Sequence, residues 1–124
     1  MPAYSAAVME HFDRPRNMGR FEPGPGVIEA RVGSVAQGTS FHLSARVDAG
    51  TATAVRFEAY GCPHCIAAAS WATEQLAGRP MGELADWSWR DVAQALDVPA
   101  EKRGHLLVLE DAVKRLAEAG RSHS

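Results

Sequence analysis

A chain of 124 residues with 46% apolar and 23% charged side chains has the length and composition of one globular domain, over 1–124, that buries a core without disulfide staples. Thirteen basic against fifteen acidic residues leave a formal charge of -2, which excludes the field of a nucleic-acid or anionic-membrane binder. No window approaches the roughly 18 apolar residues that span a bilayer, and Met1-Pro2-Ala3-Tyr4-Ser5 lacks the charged and apolar segments of a secretory signal. A cytoplasmic location is expected, with neither nucleic acid nor membrane as partner.

In chain order, Tyr4, Ala7, Val8 and Phe12 fall at helical spacing, and Arg14-Pro15-Arg16-Asn17-Met18-Gly19 then breaks the pattern, giving a short helix and a turn. Glu22-Pro23-Gly24-Pro25-Gly26 is a second breaker before a weakly alternating strand over 27–35. Phe41, Leu43, Ala45 and Val47 alternate with His42, Ser44 and Arg46, while Val55, Phe57 and Ala59 alternate with Arg56, Glu58 and Tyr60. Each run therefore predicts a strand with one buried and one wet face. Asp48-Ala49-Gly50-Thr51 between them makes an antiparallel hairpin the economical connection.

Behind Cys62, the spacing of Ile66, Ala69, Thr73, Leu76 and Ala77 predicts a helix that Gly78 and Pro80 stop. Ser88 with Asp91 resembles a capping box for a short helix that turns Val92, Ala95 and Leu96 inward and closes at Pro99. Leu106, Leu109, Val113 and Leu116 form the stripe of a last helix to about Ala119, with Lys114, Arg115 and Glu118 outside and frayed residues over 121–124. The order predicts an α+β domain, a small antiparallel sheet of about three strands packed on one side by several helices.

Both cysteines lie in Tyr60-Gly61-Cys62-Pro63-His64-Cys65, between the second clear strand and the alanine-rich helix. Pro63 suits the first helical position, because its missing N–H would be unpaired there anyway; Cys62 is then the N-cap and Cys65 sits one turn in, on the same face. A helix N-terminus favours a thiolate, so the pair suits half of a tetrahedral metal site or thiol–disulfide exchange, and the spacing alone does not choose. His64 is expected to be exposed beside the thiols and to tune them, and His42 to face the wet side of its strand. Trp71, Trp87 and Trp89 read as packing residues, and His11 carries no assigned chemistry.

Taken together, Tyr4-Ser5, Val8, His11-Phe12 and Pro15-Arg16-Asn17-Met18-Gly19, then Phe57 and Tyr60-Gly61-Cys62, then Glu110-Asp111-Ala112-Val113-Lys114 resemble the iron–sulfur cluster assembly scaffold family, of IscU type or the NifU N-terminal domain. The resemblance runs over nearly the whole chain in order. It implies that family's compact α+β fold, called IscU/NifU-N-like here. It also implies a binding protein, not an enzyme, that receives sulfur and iron on three cysteines and an aspartate and holds a transient [2Fe–2S] cluster. Implied partners are a cysteine desulfurase and other cluster-assembly proteins, with sulfur arriving as a persulfide on Cys62. Against the family pattern, the first cysteine and its Gly-Asp fall on Gln37-Gly38-Thr39, so thiolate and carboxylate are both replaced. The second cysteine falls on Cys62, and the third, in a Lys-x-His-Cys segment, falls on Lys102-Arg103-Gly104-His105, where a histidine takes its place. Cys65 is an addition, and Thr39 is expected only to cap the turn before its strand. The chaperone-recognition stretch Leu-Pro-Pro-Val-Lys reads Val98-Pro99-Ala100-Glu101-Lys102, so the chaperone handover that the resemblance implies lacks its usual recognition sequence.

Cluster iron is stabilised by thiolate, with histidine a substitute that raises the potential. On the resemblance, Cys62, Cys65 and His105 would supply three ligands, with His64 or His42 as a fourth, and Cys2His2 is equally a zinc set. Iron, an iron–sulfur cluster or zinc are thus the expected cargoes, and a cluster held by cysteine alone would need a homodimer giving two thiolates per chain. Two other functions compete. Cys-Pro-His-Cys is also the active-site tetrapeptide of a strongly oxidising thiol–disulfide oxidoreductase of the thioredoxin superfamily, although the βαβ units and cis-proline loop of that fold are not legible here. A degenerate paralogue that has lost the site would act only as a regulator of cluster assembly.

Overall fold

The computed structural model describes residues 4–34 and 36–122. A short helix α1 (Ala6–Asp13) leads to three strands, β1 (Val27–Ser34), β2 (Thr39–Asp48) and β3 (Thr51–Tyr60). Val35, the end of the first predicted strand, lies outside the described residues. The β2–β3 hairpin turns on Ala49-Gly50, both at positive φ (51° and 78°), which matches the right-handed twist of the strands it joins. β1 pairs antiparallel with the other edge of β2, setting Ile28 opposite Ala45 and Val32 opposite Phe41.

Helix α2 (Pro63–Leu76) follows, and where only a helix stop was expected a two-residue strand β4 (Arg79–Pro80) completes an antiparallel sheet of order β1-β2-β3-β4. The Gly78 N–H donates to the Ala52 carbonyl at 2.7 Å, so the chain leaving α2 is captured by the edge of β3. Three more helices, α3 (Met81–Leu84), α4 (Trp89–Leu96) and α5 (Arg103–Ser122), and a 3-10 turn at Ala100–Lys102 complete the α+β fold. Among the described residues no helix is long and apolar enough to cross a membrane.

Phe41, Leu43, Ala45, Val55 and Phe57 form the buried face of the sheet, and Leu106, Leu109, Val113 and Leu116 meet them from α5. The opposite face departs from the alternation, since His42 and Ser44 are buried, not wet. For Ser44 the segment after α1 is the cause. The Phe21 N–H donates to Ser44 Oγ, and the Phe21 ring packs under the guanidinium groups of Arg46 and Arg56, at 4.8 and 4.3 Å, while Arg20 pairs with Glu58. His42 Nε2 reaches Glu29 Oε1 at 2.7 Å, across from the neighbouring strand.

Nor is α2 a one-sided helix. Ala67, Ala68, Ala69, Ser70, Ala72 and Thr73 are all buried, because β3 lies on one side and α1, α4 and α5 on the others, a close approach that only small side chains permit. Its two buried hydroxyls fasten the N-terminal segment: Ser70 Oγ meets His11 Nδ1 and accepts from the Arg16 N–H, both at 2.8 Å, and Thr73 Oγ1 accepts from Asn17 Nδ2 at 3.2 Å. Asn17 and Gly19, at φ 60° and 118°, exchange backbone hydrogen bonds with Phe57, so Pro15-Arg16-Asn17-Met18-Gly19 is a clasp between α2 and β3.

Two helical details differ from the sequence reading. In α4 it is Ala93, not Ala95, that is buried with Val92 and Leu96, and Ser88 Oγ accepts from the Arg90 N–H at 3.2 Å, one position before the residue a capping box would use. Helix α5 continues through Arg121 and Ser122, past the expected end; residues 123–124, like 1–3, are outside the described part. Trp87 belongs to the core, and Trp71 and Trp89 pack against it as expected.

Candidate metal centre

Strand register decides which chain segments meet at one end of the sheet. Ser40 pairs with Tyr60, so the start of β2 and the exit of β3 are neighbours, and Thr39 lies beside the Gly61-Cys62 junction. Helix α5 begins over the same end and brings His105 to it. One sulfur each from Cys62 and Cys65 and a ring nitrogen of His105 lie within 4.8 Å of one another, the sole such group of three or more His, Cys, Asp or Glu donors among the described residues.

Cys62 caps α2 with extended backbone and Pro63 follows at the first helical position, as the sequence suggests. The Cys65 N–H donates to the Cys62 carbonyl at 2.9 Å, closing the first turn and setting the two sulfurs 3.6 Å apart. Gly61 makes this closeness sterically feasible. A Cβ on it would lie 2.7 Å from Cys65 Sγ, and its φ of 152° disfavours any other residue.

The two thiols are unequal. The hydrogen bond from Cys65 holds the Cys62 thiol far below the ordinary thiol range, at about 4, against the opposing cost of burial and with help from the backbone N–H groups of Cys65 and His64 and from nearby His105. That same bond, together with burial and the facing charge, pushes the Cys65 thiol well up. The half-buried Cys62 is thus the thiol that ionises first, and the fully buried Cys65 the one that keeps its proton.

Thr39 does more than cap a turn. It is buried, its Oγ1 lies 2.7 Å from His105 Nδ1, and its side chain also reaches the Cys65 sulfur. It thus fixes the orientation of the imidazole that faces the thiols. The sequence carries only an indirect signal for this, its alignment on a position that bears a functional carboxylate in the resembling family.

Two other histidines depart from expectation. His64 is buried, not exposed, with its ring against Tyr4 (centroids 4.9 Å apart) and Nδ1 without a hydrogen-bond partner among the described residues, and it stands outside the three-donor group. His42 is held by Glu29, within the covered outer face of the sheet, and does not join the group either.

The fold and this constellation define a small α+β domain with a thiolate–thiol–imidazole cluster at one end of an antiparallel sheet. The family model described as the NifU-like N terminal domain matches residues 3–119. The chain belongs to that family. It is 35% identical over 114 residues to the iron-sulfur cluster assembly scaffold protein IscU of Escherichia coli strain K12, covering 90% of this chain and 89% of that protein. It is 36% identical over 115 residues to iron-sulfur cluster assembly protein 1 of Oryza sativa subsp. japonica, covering 90% and 67%. The fold is shared with a putative iron-sulfur cluster assembly scaffold protein for the SUF system from Fervidobacterium islandicum AW-1, with a TM-score of 0.74 at 16% identity, over 92% of this chain and 96% of that one. A nitrogen-fixing NifU-like protein (N-terminal) from Brucella abortus gives a TM-score of 0.71 at 17% identity, over 96% and 94%.

Proposed function

We propose that this chain is a divergent iron–sulfur cluster assembly scaffold that holds iron, a [2Fe–2S] cluster or zinc on Cys62, Cys65 and His105, and that it binds and delivers without catalytic turnover of its own. The observation that carries the reading is the convergence of these three donors within 4.8 Å in a chain whose relatives are named as assembly scaffolds. Thiolate donors suit iron in a cluster and zinc alike, and a histidine among them is tolerated by both. Three protein donors leave coordination positions for sulfide or for a donor from a second copy, so a homodimer sharing one cluster is compatible with the site. Ligation through His105 Nε2 requires the proton on Nδ1, where it would be donated to Thr39 Oγ1, and that is the supporting bond a metal-bound imidazole commonly makes. The partners in this reading are a cysteine desulfurase and other cluster-assembly proteins, and the setting is the cytoplasm.

Anaerobic reconstitution with iron and sulfide should give the charge-transfer absorption of a cluster, and Cys62→Ser should abolish it. Elemental analysis after loading with zinc alone is the parallel arm, and zinc taken up where no colour develops assigns the site to zinc. A protein that takes up neither overturns the proposal.

A further inference from the structure

The bridging sulfurs of a cluster are sulfide, whereas sulfur carried on a thiol as a persulfide is two electrons more oxidised. An assembly site therefore needs a source of two electrons for each sulfur it receives. Cys62 and Cys65 differ in access. Cys62 is half-buried and can be reached from outside, while Cys65 has no exposed surface and is backed by the Gly61 main chain. The Cys65 sulfur lies 3.6 Å from the Cys62 sulfur, within reach of a sulfur carried there but with no surface open to a donor. This is the arrangement of an outer acceptor and an inner resolving thiol.

Building on the assembly reading, we propose that Cys62 accepts a sulfur atom from a persulfide donor and that Cys65 expels it as hydrogen sulfide. In the first step the Cys62 thiolate attacks the outer sulfur of the donor persulfide, the donor leaves as its thiolate, and Cys62 carries the persulfide. In the second, the Cys65 sulfur attacks Cys62 Sγ, the bond from Sγ to the outer sulfur breaks, and hydrosulfide leaves with the proton that Cys65 gives up. The transferred sulfur gains two electrons, and the two cysteine sulfurs lose one each as the Cys62–Cys65 disulfide forms. That closure takes the sulfurs from 3.6 Å to a bond of about 2.05 Å, a movement within the first turn of α2. A dithiol reductant must then reopen the pair before its thiolates can hold metal. The chain thus delivers one sulfide per reduction, which fits a protein without turnover of its own.

The test uses the full chain, reduced and stripped of metal, mixed without oxygen with glutathione persulfide. Trapped sulfide, corrected for that released by the donor alone, and the intact mass of the chain are followed in time. Wild type should release one sulfide per chain, with a transient species one sulfur atom heavier decaying to a chain two hydrogens lighter. Cys65→Ser and Cys65→Ala should stop at the heavier species, with sulfide release slowed by an order of magnitude or more, and Cys62→Ser should take up no sulfur. The wild-type time course needs no variant to fold. A sulfur adduct that persists on wild type, or release from both Cys65 variants as fast as from wild type, overturns the inference. Metal uptake measured on the same preparation separates the two readings, since intact uptake without sulfide release removes only this step.

Discussion

Thr39 and Gly61 show what one residue contributes to the centre beyond supplying a donor. Thr39 offers no thiolate, but its hydroxyl aims His105, and Gly61 gives way so that the Cys65 sulfur can lie against that of Cys62. Cys62, Cys65 and the helix mouth were legible from a tetrapeptide and a proline. The Thr39 contact was not, because it joins residues 66 positions apart and exists only once β2 and α5 start at the same end. His64 was misread for a related reason, since nothing local tells that Tyr4 will close over its ring. The unequal thiols make a direct prediction for reduced, metal-free protein. With Cys62 held at about 4, its thiolate persists as pH falls, so alkylation by iodoacetamide, located by peptide mass, should continue at Cys62 down to about pH 6, where an ordinary thiol is almost wholly protonated. Cys65, pushed the other way and buried, should stay unmodified through neutral pH. Alkylation of Cys62 that titrates in the ordinary thiol range would contradict the thiolate assignment.

At the scale of elements, period-2 alternation located β2 and β3 because one face of each meets the helices, and that face was read correctly. It failed for Ser44, because Phe21 is carried over it by a clasp whose hydrogen bonds run to Ser70, Thr73 and Phe57, and for His42, which is held by Glu29 of the neighbouring strand. Periodicity located helix α2 but not its burial on most sides, because its small alanine side chains let neighbours approach all round. β4 is too short to leave a pattern at all. The hairpin turn was legible as a turn, yet it contains a local misfit, since Ala49 occupies the left-handed region at φ 51° with its side chain exposed. That conformation costs a residue with a Cβ about 1 kcal/mol or more, whereas asparagine tolerates it and asparagine–glycine is the preferred pair for such a turn. Ala49→Asn should therefore raise stability by about 0.5–1 kcal/mol, seen as a rise of a few degrees in thermal unfolding. A neutral or lower melting temperature would show that the turn relaxes without cost.

For the whole molecule, the centre ties the start of α5 to the end of the sheet where β2 begins and β3 passes into α2. Cys62 and Cys65 belong to the junction of β3 and α2, Thr39 opens β2, and His105 lies at the start of α5. A metal bound there stabilises the folded chain by the free energy of binding to it less that of binding to the unfolded chain, about 2.7 kcal/mol at a hundredfold excess over the dissociation constant when only the folded state binds. The two cysteines are three positions apart and can grip an ion even in an unfolded chain, whereas His105 joins them only through the fold. The thermal shift on adding zinc thus measures the tertiary part of the site. Wild type should gain about 10 °C at a hundredfold excess of zinc over the dissociation constant. His105→Ala should keep weak zinc binding through the cysteines but lose most of the shift, and Cys62→Ser should lose both. The direction follows from mass action, because a ligand that holds folded and unfolded chains equally moves no melting temperature however tightly it binds. An undiminished shift in His105→Ala would place the metal on the cysteine pair alone and remove α5 from the centre.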